Sequence, residues 1–413
     1  MNVEHALQTA DRLAVPTTRG LPSAHAWWPQ SLAHGAPGVA LLHIEVAAAG
    51  LRSWQRVQDW LTVTAHSPIT TGRSTGLFYG APALAFTLAA AASVRSGAYR
   101  SALASLDEPV AADARRRVAE ARARIAAGRL PALAEFDTIR GLAGIAVLLL
   151  RRDPGGQAVR AVLEYLVDLT RPVSIDEGKL VPGWWTRTGA TGRPDKDYPE
   201  GHGNAGMAHG IGGPLAALAV AALKGVTVPG QVEAIETVCA WLDSWRTDTD
   251  SGPAWPYLIS RAQLDAGPLP PGNNGPIRRP SWCYGSAGLG RAQQLAALAT
   301  GNATRRRMAE HALIRAFSDP TLRAATTDAS LCHGYAGLAR IASRAADDAE
   351  KPAAATLRKL AAELLGLALA HPNSAEAEPV PGVLEGAAGV ALAALTPTIG
   401  PPSTGWDTCL LIT

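Results

Sequence analysis

Two cysteines and one histidine carry the strongest chemical signal in the 413-residue chain: Cys283 in WCYG (282–285), and Cys332 with His333 in LCHG (331–334). Each cysteine stands two residues before a glycine, and His333 stands immediately before one. Two thiolates and an imidazole form a soft donor set that favours zinc over harder cations. Three protein ligands leave a fourth position for a substrate, as in catalytic zinc sites. Neighbouring residues on a helix point about 100° apart, so Cys332 and His333 can share an ion only from a loop-to-helix junction. The same cysteines would also suit a buried core or a disulfide. Their matched register beside His333 favours the metal. Cys239, inside an amphipathic stretch, and Cys409, near the end of the chain, share no such register and are read as non-ligands.

That register belongs to a repeat. A polar or aromatic residue, a Gly, two small or apolar residues, often a second Gly and then an apolar run recur at 34–42, 79–88, 140–150, 209–218, 284–292, 333–341 and 385–395. These seven copies lie 45 to 75 residues apart. The residue before the first Gly is, in turn, His34, Tyr79, Arg140, His209, Tyr284, His333 and Glu385. Equivalent positions of neighbouring repeats lie side by side in a closed repeat architecture, so Cys283, Cys332 and His333 converge.

Each copy reads as the start of a buried helix. The runs are apolar nearly all round, as expected of inner helices. Two Gly three residues apart share a face and would let adjacent helices approach closely. The stretches between copies, such as 232–246 and 355–370, are amphipathic and suit an outer layer. Seven inner and seven outer helices predict an all-α, seven-fold α/α toroid (a double α-barrel), one domain over 1–413. The Gly- and Pro-rich segments 171–206 and 251–280 lack helical periodicity. They are expected to be irregular rim loops or short strands, a candidate lid or leader-binding region.

Composition sets outer limits. Hydrophobic residues make up 47% and charged residues 18%, enough for a large core and unlike a disordered chain. A net charge of +3 gives no reason to expect nucleic acid as a partner. Arg115, Arg116, Arg117, Arg122 and Arg124 are spaced with Ala and Glu as on a solvated helix face. No apolar run is long enough for a transmembrane segment, no signal peptide is evident, and four cysteines are no disulfide framework. A reducing, cytoplasmic setting is the expectation.

The segments GMAHGIGGPLAAL (206–218), WCYGSAGLG (282–290), LCHGYAGL (331–338) and LEGAAGV (384–390) resemble the signature blocks of the lanthionine synthetase C-like family, over nearly the whole chain. The resemblance implies a catalytic Zn2+ held by Cys283, Cys332 and His333. It also carries four further residues, one by one. They are Asp137 in FDTIRGLAG, His209 in the AHG block, Arg279 four residues before Cys283 with Arg278 beside it, and Tyr284 after that cysteine. Each has a plainer role as well: Asp137 as a helix cap, His209 and Tyr284 as hydrogen-bonded barrel residues. His34, His202 and Glu385 read as mainly structural, Glu385 being the best placed to contact substrate.

The activity implied is lanthipeptide cyclisation, a Michael addition of peptide cysteine thiols to dehydroalanine or dehydrobutyrine. The substrate would be a dehydrated precursor peptide. A separate dehydratase and an export transporter would be partners, with the protein cytoplasmic in a membrane-associated biosynthetic complex. Alternatives are addition of glutathione or another small thiol, and a non-catalytic peptide-binding scaffold. Zinc-dependent thiol prenylation also uses an α/α barrel, but its zinc set usually includes an aspartate.

Overall fold

A computed structural model describes residues 2–16, 27–66, 68–175, 178–268, 279–372, 380–400 and 402–413. Helices are numbered in chain order. The inner ring consists of α2 (Ala36–Ala48), α4 (Ala81–Val94), α7 (Leu142–Arg152), α9 (Gly212–Leu223), α12 (Ser286–Thr300), α15 (Tyr335–Asp348) and α17 (Ala387–Ile399). The outer ring consists of α1 (Asn2–Arg12), α3 (Gln55–Ala65), α5 (Arg100–Ala126), α8 (Gln157–Asp168), α10 (Gln231–Ser244), α13 (Ala303–Ser318) and α16 (Lys351–Ala370). Short helices α6 (Leu133–Phe136), α11 (Arg261–Ala266) and α14 (Pro320–Ala324) complete the set.

The two layers follow from side-chain patterning. In α4 every residue from Ala81 to Ala91 is buried, so the helix needs neighbours on all sides. By contrast α16 buries Leu357, Leu360, Leu364, Leu365 and Ala368 along one stripe, the spacing of a helix with one wet face. The ring closes where α17 packs on α2, while α1 covers α17 as its outer partner. The architecture is the seven-fold α/α toroid expected from the repeat.

The glycines serve a different purpose from the expected one. The first Gly of six copies is the N-cap of its inner helix, the exception being the fourth copy, where Ile211 takes that place. The second Gly faces the chain's own loop more closely than a neighbouring helix. A Cβ at Gly337 would fall 2.0 Å from the Leu331 carbonyl oxygen, and one at Gly288 2.2 Å from that of Trp282. The loop six residues upstream thus folds back over the first helical turn, and only a residue without a side chain admits it.

Those loops are joined edge to edge by main-chain hydrogen bonds. Leu32 N donates to Phe78 O, Thr138 N to Ala208 O, and Met207 N and Ala208 N both to Cys283 O. Cys283 N donates to Cys332 O at 3.1 Å, Cys332 N to Leu384 O at 2.8 Å, and Leu384 N to Ala33 O at 3.0 Å. The remaining junction is bridged by Arg117, whose guanidinium donates to Thr75 O and Arg140 O. Arg117 and Arg124 are therefore buried, which corrects the solvated reading of that basic run. Arg124 pairs with Glu135 at 2.8 Å. The result is a closed belt around one rim of the toroid, at the N-terminal ends of the inner helices.

The first non-periodic segment carries a short antiparallel pair, β1 (Val173–Ile175) with β2 (Lys179–Val181); in the second, β5 (Gly252–Ala254) pairs with β4 (Thr247–Thr249) just before it. A third pair, β3 (His202–Asn204) with β6 (Leu258–Ser260), joins one segment to the other. Arg278 lies outside the described residues.

The C-terminal segment runs through the interior. Asp407 is fully buried between Arg340 and Arg344. Thr404 bonds Glu45 of α2 through both its amide and its hydroxyl. Leu410 O accepts from Trp282 Nε1 at 2.7 Å, and Ile412 O from Arg291 Nε at 2.9 Å.

Candidate metal centre and its surroundings

Cys283, Cys332 and His333 come together, with their ligand atoms all within 4.8 Å of one another. All four cysteines are free thiols, so the disulfide alternative does not apply. The Cys283 N to Cys332 O hydrogen bond holds the two junctions side by side. Cys332 and His333 precede α15, whose N-cap is Gly334. They are thus in the non-helical position that lets adjacent residues face one point. Cys239 and Cys409 are buried elsewhere in the core.

The three groups share their protons. The Cys283 thiol is drawn down to about 4 by the Cys332 thiol and by His333, against the opposing effect of burial. Cys332 is pushed up by the bond with Cys283 and by burial, and His333 is raised by its bond with Cys283. Their ligand atoms lie within 4.8 Å of one another and offer three donors to one point. Soft sulfur and imidazole donors, no carboxylate among the three and one open side fit zinc.

A small turn sets each of these residues. The side chain four residues before the first Gly accepts the amide of the residue just before that Gly. Ser330 Oγ takes His333 N at 3.3 Å, Ser281 Oγ takes Tyr284 N at 3.2 Å, and Ser31 Oγ takes His34 N at 3.1 Å. In the third repeat the same place is held by Asp137, whose Oδ1 accepts from Arg140 N at 2.6 Å and Gly141 N at 2.7 Å. A serine would use its only oxygen in this way. Asp137 has a second, and Oδ2 lies 2.7 Å from His209 Nδ1. Asp137 is therefore both the cap and the partner of His209. Because the carboxylate can only accept here, the neutral His209 ring carries its proton on Nδ1 and keeps its lone pair on Nε2.

Tyr284 lies between these two groups. Its hydroxyl accepts from Asn204 Nδ2 at 3.0 Å, and burial pushes it up to about 12, so it remains a phenol. Its ring packs on Gly206, where a Cβ would fall 2.5 Å from Cε1. Asn204 belongs to β3, so the rim segment is tied directly to the site; its Oδ1 also accepts from Gly206 N at 3.0 Å. The sequence offered no marker for Asn204 beyond its place six residues before Gly210.

Arg279 has a partly exposed side chain, and its Nη1 is 4.0 Å from Asp328 Oδ2, the carboxylate beside His333. Its backbone oxygen accepts from Tyr257 Oη at 2.6 Å. Glu385 and His34 face each other at 4.0 Å on the opposite side, both partly exposed. His202, by contrast, is the fully buried first residue of β3, 3.7 Å from Asp195.

The chain is a helical toroid with two thiols and one imidazole gathered at the N-terminal rim of its inner helices. The chain belongs to the lanthionine synthetase C-like family, whose model matches residues 26–411. Among solved structures, nisin cyclase is similar over 100% of this chain and 96% of its own, with a TM-score of 0.80 at 20% sequence identity. No curated protein matches by sequence at a significant level. No helix among the described residues is long and apolar enough to cross a membrane.

Proposed function

We propose that this protein is a zinc-dependent lanthipeptide cyclase, adding cysteine thiols of a dehydrated precursor peptide to its dehydroalanine or dehydrobutyrine residues. The observation that carries the reading is the meeting of Cys283, Cys332 and His333 beside the Asp137–His209 pair. Family membership and the toroid shared with nisin cyclase support it.

Zinc bound by Cys283, Cys332 and His333 would hold the substrate sulfur as a thiolate at neutral pH. A free thiol with pKa about 8.5 is short of that state by about 1.5 units at pH 7, worth roughly 2 kcal/mol. The chain's own residues account for the rest. His209 Nε2, its lone pair set by the Asp137 hydrogen bond to Nδ1, takes the thiol proton and can return it to Cα after the new C–S bond forms. The Arg279 guanidinium offers donors for the charge that develops on the carbonyl oxygen of the dehydro residue. Tyr284, held as a neutral phenol by Asn204, borders the same space. The segments 171–206 and 251–280 are the proposed contact for the leader part of the peptide, Asn204 of the first being bonded to Tyr284. A separate dehydratase would prepare the substrate, and a transporter would export the product.

The test is turnover of a dehydrated, cysteine-containing peptide by the purified protein. Cyclisation leaves mass unchanged but removes thiols that an alkylating reagent would otherwise label. Loss of alkylation with wild type and retention with Cys332→Ala is the expected result. Full alkylation throughout, with zinc bound and the peptide captured, would favour a binding scaffold instead.

A further inference from the structure

Asp328 stands four residues before Cys332, in the loop between α14 and α15. Its Oδ2 lies 3.4 Å from His333 Nε2, and Arg279 Nη1 is 4.0 Å from the same oxygen. The other carboxylate oxygen is fixed by the main chain, accepting from Ser330 N at 2.8 Å. The Asp328 carbonyl accepts from Tyr335 N at 3.0 Å. Gly334 makes room for this arrangement, since a Cβ there would fall 2.3 Å from Asp328 Oδ1. The carboxylate is thus anchored at one end and aimed at the ring with the other. Nε2 of His333 is the nitrogen turned towards it, which leaves Nδ1 as the one that can face the two thiols.

We infer that Asp328 is a positioning residue of the metal centre, accepting the His333 Nε2 proton so that the ring presents its Nδ1 lone pair beside Cys283 and Cys332. A ligand histidine whose second nitrogen donates to a carboxylate is held in one tautomer and one orientation, and loss of such a partner typically weakens metal binding about 10–100-fold. Asp328 Oδ2 also faces the Arg279 guanidinium, so the carboxylate stands near both the His333 ring and that cation. Arg279 and Asp328 occupy the same repeat position, six residues before the first Gly of adjacent copies. The belt that unites the thiols therefore also brings this opposite-charge pair together.

The inference rests on the reading of the triad as a zinc site, and the experiment separates the two. Zinc affinity of the full chain is measured by chelator competition for wild type, Asp328→Asn and Asp328→Ala. Cobalt(II)-loaded samples are recorded alongside in the visible range. Both variants are expected to bind one metal per chain about 10–100-fold more weakly than wild type, with shifted cobalt ligand-field bands that loss of general stability would not produce. Folded variants with affinity within about twofold of wild type and an unchanged cobalt spectrum would overturn the inference alone. A wild type that binds no zinc would overturn the metal centre and this inference with it. Should neither variant fold, proton NMR of cobalt-loaded wild type decides. A slowly exchanging, paramagnetically shifted ring N–H from His333 is expected, and its absence would count against the role of Asp328.

Discussion

At the scale of single residues, what separates a structural turn from a reactive one is a second oxygen. Ser31, Ser281 and Ser330 each spend their hydroxyl on the turn that leads into an inner helix. Asp137 does the same with Oδ1 and keeps Oδ2 for His209. Replacing His209 with Ala should slow cyclisation about 10²–10⁴-fold while zinc stoichiometry stays at wild-type level. Zinc loss in that variant would instead mark His209 as part of the metal centre. Asp137→Asn retains the capping oxygen but turns an amide towards Nδ1, so it should cut turnover with little change in melting temperature. A melting temperature that falls in parallel would make the cap the residue's whole contribution. Much of this was legible beforehand. Cys283, Cys332 and His333 follow from type and register, and His209, Asp137, Tyr284 and Arg279 from resemblance. Asn204 and Asp328 were not legible. Their partners, Tyr284 and His333, are fixed by loop geometry that no periodicity encodes.

At the scale of elements, the repeat was read correctly as a helix start but for an incomplete reason. The second Gly of the fifth and sixth copies, Gly288 and Gly337, admits the loop that carries the ligands, so its effect is local to the site. Gly337→Ala places a methyl group against the Leu331 carbonyl, 2.0 Å away. It should cost about 1–3 kcal/mol by overpacking and weaken zinc binding through displacement of Cys332 and His333. Unchanged zinc affinity in the folded variant would show that the loop tolerates the shift. A second element, the α1–α2 contact, carries a pH dependence. His43 of α2 is buried and bonds Leu13 O through Nε2 at 2.8 Å; burial lowers it to about 4. A histidine depressed in the fold contributes stability that is present above the unfolded value of 6.5 and is lost as pH falls towards about 4. The loss should run at about 1.4 kcal/mol per pH unit across that window. Denaturant melts of wild type and His43→Gln between those limits check it, the variant showing the flatter profile.

At the scale of the whole molecule, the toroid is held from two sides. Around the rim, the main-chain belt closes with the help of buried Arg117, a residue that sequence spacing placed on a solvated face. Through the interior, the C-terminal segment collects buried charges from several inner helices. Asp407 pairs with Arg340 and Arg344 of α15 and is held below the ordinary carboxylate range by those guanidinium groups, despite burial that opposes it. Asp407→Asn leaves Arg340 buried without its counter-charge and should destabilise the fold by about 3–5 kcal/mol. A loss under about 1 kcal/mol would mean that the pair only offsets its own desolvation. These long-range pairings join residues more than sixty positions apart in sequence, beyond the reach of local pattern. The number of repeats, by contrast, was written openly in the seven copies, because each inner helix is preceded by a similar loop and glycine. Trp282 Nε1 bonds Leu410 O, so the interior segment also touches the residue next to Cys283.

The most direct test of the central claim is zinc content per chain in purified, folded protein, wild type against Cys283→Ala. One zinc per wild-type chain, absent from the variant, is the predicted result. Folded wild-type protein that holds no zinc, when purified without chelators and offered the metal, would contradict it.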